Sequence, residues 1–286
     1  MSIETMPRSQ ADKSRVNRQD AGFSQTRVSV VSNSENGWET EDLTDFVVEE
    51  RPVALVYNGV SHAVMMATPQ DLEDFALGFS LSEGIIHHPE EMFSCDIIEN
   101  NDTRDARSIG LDLQLHIHGE RMHSLKSRHR AMAGPTGCGL CGKRSLEETL
   151  KTVPAVTRQQ KPSPQTIQNA IQCITSGQRI QLMTGACHAA AWMSFDAQPV
   201  AIREDVGRHN ALDKLIGALA IRKIKPESGF LVVTSRASYE MVYKAATVGI
   251  TTLVAVSGAT GLAVETARNT GMNLIGFARQ GRQVVY

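Results

Sequence analysis

The sequence predicts an α/β protein in two parts, a smaller N-terminal α+β domain and a larger C-terminal α/β domain on a mixed, largely parallel sheet. Three observations carry this. The second half repeats short apolar runs, Phe230 to Thr234, Thr252 to Val256 and Asn273 to Phe277, separated by helical stretches. That β-α-β-α-β order implies parallel strands joined by right-handed crossovers. The first half instead combines a hairpin pattern with one helical pattern, and 286 residues at 41% hydrophobic composition are enough to divide a core between two domains.

Taken in order, residues 1–26 are rich in Ser, Gln, Arg, Asp and Asn, so burial could not offset the entropy of ordering them, and a disordered tail is expected. Residues 27–130 form the α+β domain. Pro52 to Tyr57 reads as a strand, Asn58-Gly59 as a hairpin turn, and Ala63 to Met66 as the returning strand. Thr68-Pro69 with Asp71 opens a helix whose Leu72, Phe75, Ala76, Phe79 and Leu81 share a face, and Gly110 to Ile117 alternates as a half-buried strand. The basic stretch His118 to Arg130 then runs into Gly134 to Gly142, where four glycines and one proline in nine residues exclude a regular element. Residues 131–150 are therefore expected to be a mobile interdomain loop. Residues 151–286 form the C-terminal domain, with helices expected over Ser238 to Val248 and Leu262 to Asn269, a C-cap at Gly271, and a strand from Arg179 to Met183.

Bulk composition narrows the function by exclusion. Lys+Arg of 29 against Asp+Glu of 31 gives a formal charge of -2, so no nucleic-acid partner is expected. No apolar window is long enough to span a membrane and no secretory signal opens the chain, which makes a cytoplasmic protein the expectation. Five scattered cysteines fit reduced thiols better than a disulfide scaffold.

Cys138-Gly-Leu-Cys141 stands out as a reactive sulfur site. Two cysteines at this spacing can bind zinc, cycle between dithiol and disulfide, or carry a sulfane sulfur, and spacing alone leaves all three open. Zinc would need further ligands, for which Cys187-His188 is the best offer. Arg128, Arg130, Lys143 and Arg144 flank the pair and favour thiolate.

The other polar clusters lie in the second half. Arg203-Glu-Asp-Val-Gly-Arg-His-Asn210 precedes an amphipathic run that Asn210 and Asp213 could cap, and on composition alone it could equally be a solvated helix entrance. Ser235-Arg236-Ala237-Ser238 follows a buried strand and opens a helix, an arrangement that suits an anion. In parallel sheets ligands gather at such strand ends, here joined by Ser257 to Thr260 and Ala278 to Arg282. Neither a Walker loop nor a Gly-x-Gly-x-x-Gly fingerprint is present, and His188-Ala-Ala190 lacks the Glu of a zinc deaminase. Thr184 to His188 reads as a packed turn.

Gly137-Cys-Gly-Leu-Cys-Gly142, Thr184-Gly-Ala-Cys-His-Ala-Ala190, Glu204 to Lys214 and Ser235-Arg-Ala-Ser-Tyr-Glu240 together resemble the formate dehydrogenase accessory sulfurtransferase family of the FdhD type. The resemblance runs from about Glu49 to the C-terminus. Two departures are Ala186-Cys187, where a second glycine is expected, and Thr234-Ser235-Arg236, where Ser-Gly-Arg is usual. It implies a sulfurtransferase that takes sulfur from a cysteine desulfurase as a persulfide and passes it to the molybdenum bis(molybdopterin guanine dinucleotide) cofactor, bound as substrate, for formate dehydrogenase. No resident metal is implied. Cys138 would carry the persulfide with Cys141 as its partner, and Phe277, Ala278, Arg279, Gln280, Gly281 and Arg282 would bind the cofactor. Arg203, Arg208 and Arg236 are further candidates for its phosphates, Glu204, Asp205 and His209 for its base or ribose, and Ser235 for the same strand-end site. The resemblance also implies a cytidine deaminase-like, three-layer C-terminal domain and a homodimer.

Overall fold

The computed structural model describes residues 22–35, 37–101, 109–131, 152–157, 160–279 and 281–286. Cys138, Cys141 and Gln280 lie outside the described residues, as do residues 1–21 and all of the expected 131–150 loop except Ala131.

The N-terminal half contains a four-stranded sheet in the order β4-β3-β6-β5, made of β3 (Arg51–Tyr57), β4 (Val60–Ala67), β5 (Met92–Asn101) and β6 (Ile109–Ile117). The Asn58-Gly59 turn closes β3 onto β4 with both residues at positive φ, 46° and 80°, as a primed hairpin turn requires. Val53, Leu55, Tyr57, Leu111, Leu113 and Leu115 alternate onto one face, where α1 (Leu72–Ser82) supplies Phe75 and Phe79 and α2 (Gly119–Ala131) supplies Met122 and Leu125. The basic stretch from residue 118 is thus largely helical, because Met122 and Leu125 give it an apolar side that its charges mask in the sequence.

The C-terminal half holds a six-stranded sheet in the order β12-β11-β10-β9-β7-β8. Its members are β7 (His188–Ser194), β8 (Pro199–Asp205), β9 (Gly229–Val233), β10 (Thr252–Ala255), β11 (Asn273–Arg279) and β12 (Arg282–Val285). The three apolar runs are neighbours and parallel, as expected. The remaining pairings are antiparallel, so the sheet is mixed and less parallel than the sequence suggests. Both faces are covered. Ile167, Ala170 and Ile174 of α3 (Pro164–Gly177) pack on Ala189, Ala191, Val232, Val254 and Ile275. The opposite face, with Trp192, Leu231, Val233, Leu253 and Leu274, meets α5 (Arg208–Ile221), α6 (Tyr239–Thr247) and α7 (Gly261–Thr270). Burial on both faces explains why the strands read as unbroken apolar runs.

Three expectations are corrected. The segment from Arg179 is a helix, α4 (Arg179–Thr184), whose five-residue pattern was too short to fix a period. Asn210 and Asp213 do not cap α5; its N-cap is Gly207, and both side chains are buried inside the protein. The expected tail overlaps β1 (Phe23–Ser34), which pairs antiparallel with β2 (Gly37–Val48) in a separate two-stranded ribbon. Its base is held by Phe23 and Phe46 against Ile180 and Cys187.

The two halves meet along α1 and α5, whose backbones touch because both helices carry glycine at the crossing. A Cβ on Gly78 would lie 1.7 Å from the Asp213 carbonyl oxygen, and one on Gly217 would lie 1.9 Å from that of Asp74.

Candidate functional site

The register of the large sheet brings the sequence clusters to one edge. The parallel strands β9, β10 and β11 all end there, and their following loops stay paired beyond the sheet: Ser257 N–H donates to Ser235 O, Ala237 N–H to Gly258 O, and Phe277 N–H to Ser257 O at 3.0 Å. Because β7 runs antiparallel to β9, Ala189 pairs with Thr234 at the same level, and His188 stands at this edge. β8 ends opposite His188 at Asp205 and delivers Arg208 and His209 at the start of α5.

The strand-end residues are open. Arg236, Arg279 and Arg282 are exposed, and Arg282 sits over the Phe277 ring at 5.6 Å. Phe277 adopts φ 51°, which turns its ring onto Gly258; a Cβ there would lie 2.8 Å from the ring, so only glycine fits beneath it. Ala278 is buried, and Gln168 of α3 braces the turn after β11 through Gly281 N–H and Arg282 O. Ser235 is buried and its hydroxyl donates to Arg236 O. Ser238 is the N-cap of α6 without a side-chain cap bond, and its buried Oγ has no partner. The buried Nε of Arg208 also has none. Two unsatisfied polar atoms beside a helix N-terminus and three exposed arginines make this edge suited to a polyanion.

His209 Nε2 lies 2.8 Å from Glu240 Oε2. Contact with His209 holds the Glu240 carboxyl below its ordinary range, against the opposing effect of burial. Burial, then the charges of Arg208 and His209, lower the pKa of His188 and favour its neutral form. Glu240 has no role in the sequence analysis; the only signal was its place in the quoted Ser235 to Glu240 motif.

Arg203, Glu204 and Asp205 are engaged elsewhere. Arg203 Nε binds Asp74 at 2.7 Å and its guanidinium also reaches Ile202 O. Glu204 accepts the N–H groups of Ile180 and Gln181 at the start of α4, while burial raises its pKa. Asp205 is fully buried with Lys214 at 2.7 Å and accepts from Thr68 N–H, Gly207 N–H and Asn210 Nδ2. Lys214 and Asn210 in turn donate to Thr68 O and Met66 O. These bonds fasten the turn after β4 to the end of β8. The acceptor oxygens of Glu204 and Asp205 thus face inward onto these partners. A second internal cluster joins Lys244 to Asp213, Glu83 and Ser82. Burial opposes the Lys244 charge, but the two carboxylates outweigh it and its pKa is raised. Cys187 is buried in the apolar cluster at the ribbon base, and burial with the charges of Glu204 and Asp205 pushes its thiol up to about 12.

Over residues 48–286, a span that includes Cys138 and Cys141, the chain matches the FdhD/NarQ family. The chain belongs to that family. FdhD/NarQ relatives include the sulfur carrier protein FdhD of Cupriavidus necator, 51% identical over 242 residues that cover 85% of this chain and 82% of that one. The sulfur carrier protein FdhD of Bordetella petrii is 48% identical and covers 85% of each chain. The fold is shared with a formate dehydrogenase accessory protein from Desulfotalea psychrophila, at a TM-score of 0.67 and 18% identity over 92% of this chain and 96% of that one. No helix among the described residues is long and apolar enough to cross a membrane.

Proposed function

We propose that this FdhD/NarQ protein is a sulfur carrier that supports formate dehydrogenase by moving sulfane sulfur from a cysteine desulfurase to molybdenum in bis(molybdopterin guanine dinucleotide). The observation that carries this reading is the 51% identity to a protein named as a sulfur carrier, within a family match that runs through Cys138 and Cys141. In the loading step the Cys138 thiolate attacks the outer sulfur of the desulfurase persulfide. A new S–S bond forms, the old one breaks, and the desulfurase leaves as thiolate while the transferred sulfur keeps its proton. Cys141 assists as the neighbouring thiol. The basic residues that flank the pair in sequence, Arg128, Arg130, Lys143 and Arg144, favour thiolate, the form that attacks.

The cofactor's guanine dinucleotide belongs at the strand ends. Arg236, Arg279 and Arg282 neutralise its phosphates with Arg208, and Ser238 and the α6 N-terminus supply neutral donors. Phe277 offers a ring face, and His209 with Glu240 a polar pair, for the base or ribose. Calorimetric titration with GDP as a cofactor fragment tests this placement. Arg236→Ala and Arg279→Ala should each weaken GDP by roughly tenfold or more, the scale of a lost charge-assisted hydrogen bond. Arg203→Ala should leave the affinity unchanged. Unchanged affinity in both strand-end variants would move the ligand elsewhere.

A further inference from the structure

The sulfur chemistry proposed above makes no use of Lys244, an ammonium buried between the two halves of the protein. Its Nζ lies 2.9 Å from Asp213 Oδ2 and 2.9 Å from Glu83 Oε1, donates to Ser82 Oγ at 3.0 Å and sits 5.0 Å from the centre of the Phe79 ring. Ser82 Oγ donates in turn to Asp213 Oδ1 at 2.6 Å. Phe79, Ser82 and Glu83 come from the end of α1 in the N-terminal half, whereas Asp213 and Lys244 come from α5 and α6 in the C-terminal half. Apolar residues of similar volume can replace such a cluster with little loss of stability, so stability alone is a weak reason for it.

Its placement is the better clue. His209 and Asp213 are four residues apart on α5, and Glu240 and Lys244 are four apart on α6, so each pair shares one helix face. The two helices therefore meet through two rungs. The outer rung, His209 with Glu240 at 2.8 Å, has side chains 23% and 27% exposed and lies at the strand-end site. The inner rung, Lys244 with Asp213, is one helical turn deeper and is also bonded to Ser82 and Glu83. Contact with His209, and beyond it the charge of Lys244, holds the Glu240 carboxyl below its ordinary range.

We propose that Lys244 is a positioning residue for the strand-end site: it fastens α6 to α5 and to the end of α1, and so sets Ser238 and Glu240 in the first turn of α6. The proposal rests on the strand-end placement of the guanine dinucleotide. Under it the N-terminal half contributes to ligand binding without touching the ligand.

Calorimetric titration of the full chain with GDP tests this in three variants. Glu83→Gln weakens the hold of α1 on Lys244. Asp213→Asn combined with Lys244→Met removes the inner rung and leaves no fully buried charge unpaired, because Glu83 is 26% exposed and can turn to solvent. Asp74→Asn is the control, since it breaks the ion pair with Arg203 across the same junction but does not touch α6. The first two should weaken GDP by roughly two- to thirtyfold, the span of couplings carried through a packed network, and Asp74→Asn should not. Far-UV circular dichroism and unfolding midpoints check that each variant is folded; should the double variant fail, Glu83→Gln decides against Asp74→Asn.

A second readout needs no ligand. Titration of the Glu240 carboxyl by NMR of labelled carboxyl carbons should show its midpoint rising in the double variant, a shift that a purely structural role would not produce. If the wild type binds no GDP, the placement of the cofactor fails and this titration alone decides the role of Lys244. Unchanged GDP affinity in both Glu83→Gln and the double variant overturns the proposal, as does an equal loss in Asp74→Asn or an unmoved Glu240 midpoint.

Discussion

The two polar clusters at the edge of the large sheet look alike in sequence and differ in what they face. The stretch from Arg203 to Asn210 turns most of its charge inward. Asp205, Lys214 and Asn210 bind the turn after β4, Glu204 holds the start of α4, and Arg203 binds α1. The loops after β9 and β11 leave Arg236, Arg279 and Arg282 in solvent. A run of Arg, Asp, Glu, His and Asn therefore reports polarity but not its direction. Burial decides whether such groups are partnered inside or available to a ligand.

The largest expected effect lies on the inward side. Asp205→Ala leaves Lys214 as a buried, unpaired charge, and removing one partner of such a pair costs about 3–5 kcal/mol. Chemical denaturation should show that loss; a change below about 1 kcal/mol, the scale of an exposed ion pair, would mean the pair is solvated and the contrast between the clusters is mistaken. Next is Gly78→Ala at the helix crossing, where the added Cβ would press on the Asp213 carbonyl. Overpacking of this kind costs about 1–3 kcal/mol, read as a lower unfolding midpoint. Wild-type stability would show that α1 can shift away from α5.

On the outward side the order of effects reverses. Arg236→Ala and Arg279→Ala should change stability by no more than about 0.5 kcal/mol while weakening GDP, as surface substitutions away from structural bonds do. A large stability loss would place these arginines with the inward group. Between the two stands Glu240, whose carboxyl is held below its ordinary range by His209. Its contribution to stability is present above the ordinary carboxylate range and is lost as pH falls through the lower folded value. Glu240→Gln should flatten that acid limb in a pH series of unfolding midpoints, and an unaltered limb would show that the contact with His209 is weak. The smallest effect concerns two thiols, Cys187 buried and Cys95 half-buried. Cys187 and Cys95, pushed up to about 12 and about 11 mainly by burial, should resist alkylation of the native protein at pH 8. Rapid modification of either would mean that its surroundings open readily.

Much of the fold is legible in the sequence because period and turn chemistry are local. Asn58-Gly59, the helical face from Leu72 to Phe79, the three parallel strands and the Gly271 cap, at φ 80°, all follow from residues within a few positions of one another. The parts that escaped depend on distant partners. Residues 23–26 form a strand only because β2 lies opposite, and the Arg179 segment becomes a helix with Glu204 at its start. Gly78 and Gly217 read as ordinary helix glycines until α1 and α5 are brought together. For the site, the strand-end position of Ser235, Arg236 and Phe277 to Arg282 follows from the β-α-β order. The inward turn of Glu204 and Asp205 does not, since Thr68 and Asp205 are 137 residues apart.

The central claim is that this chain carries sulfur on Cys138. Mass spectrometry of the purified protein after incubation with a cysteine desulfurase and cysteine tests it most directly. The account predicts one extra sulfur atom localised to Cys138, removed by reductant and absent from a Cys138→Ala variant. Equal sulfur loading of that variant, or no loading of the wild type, would contradict it.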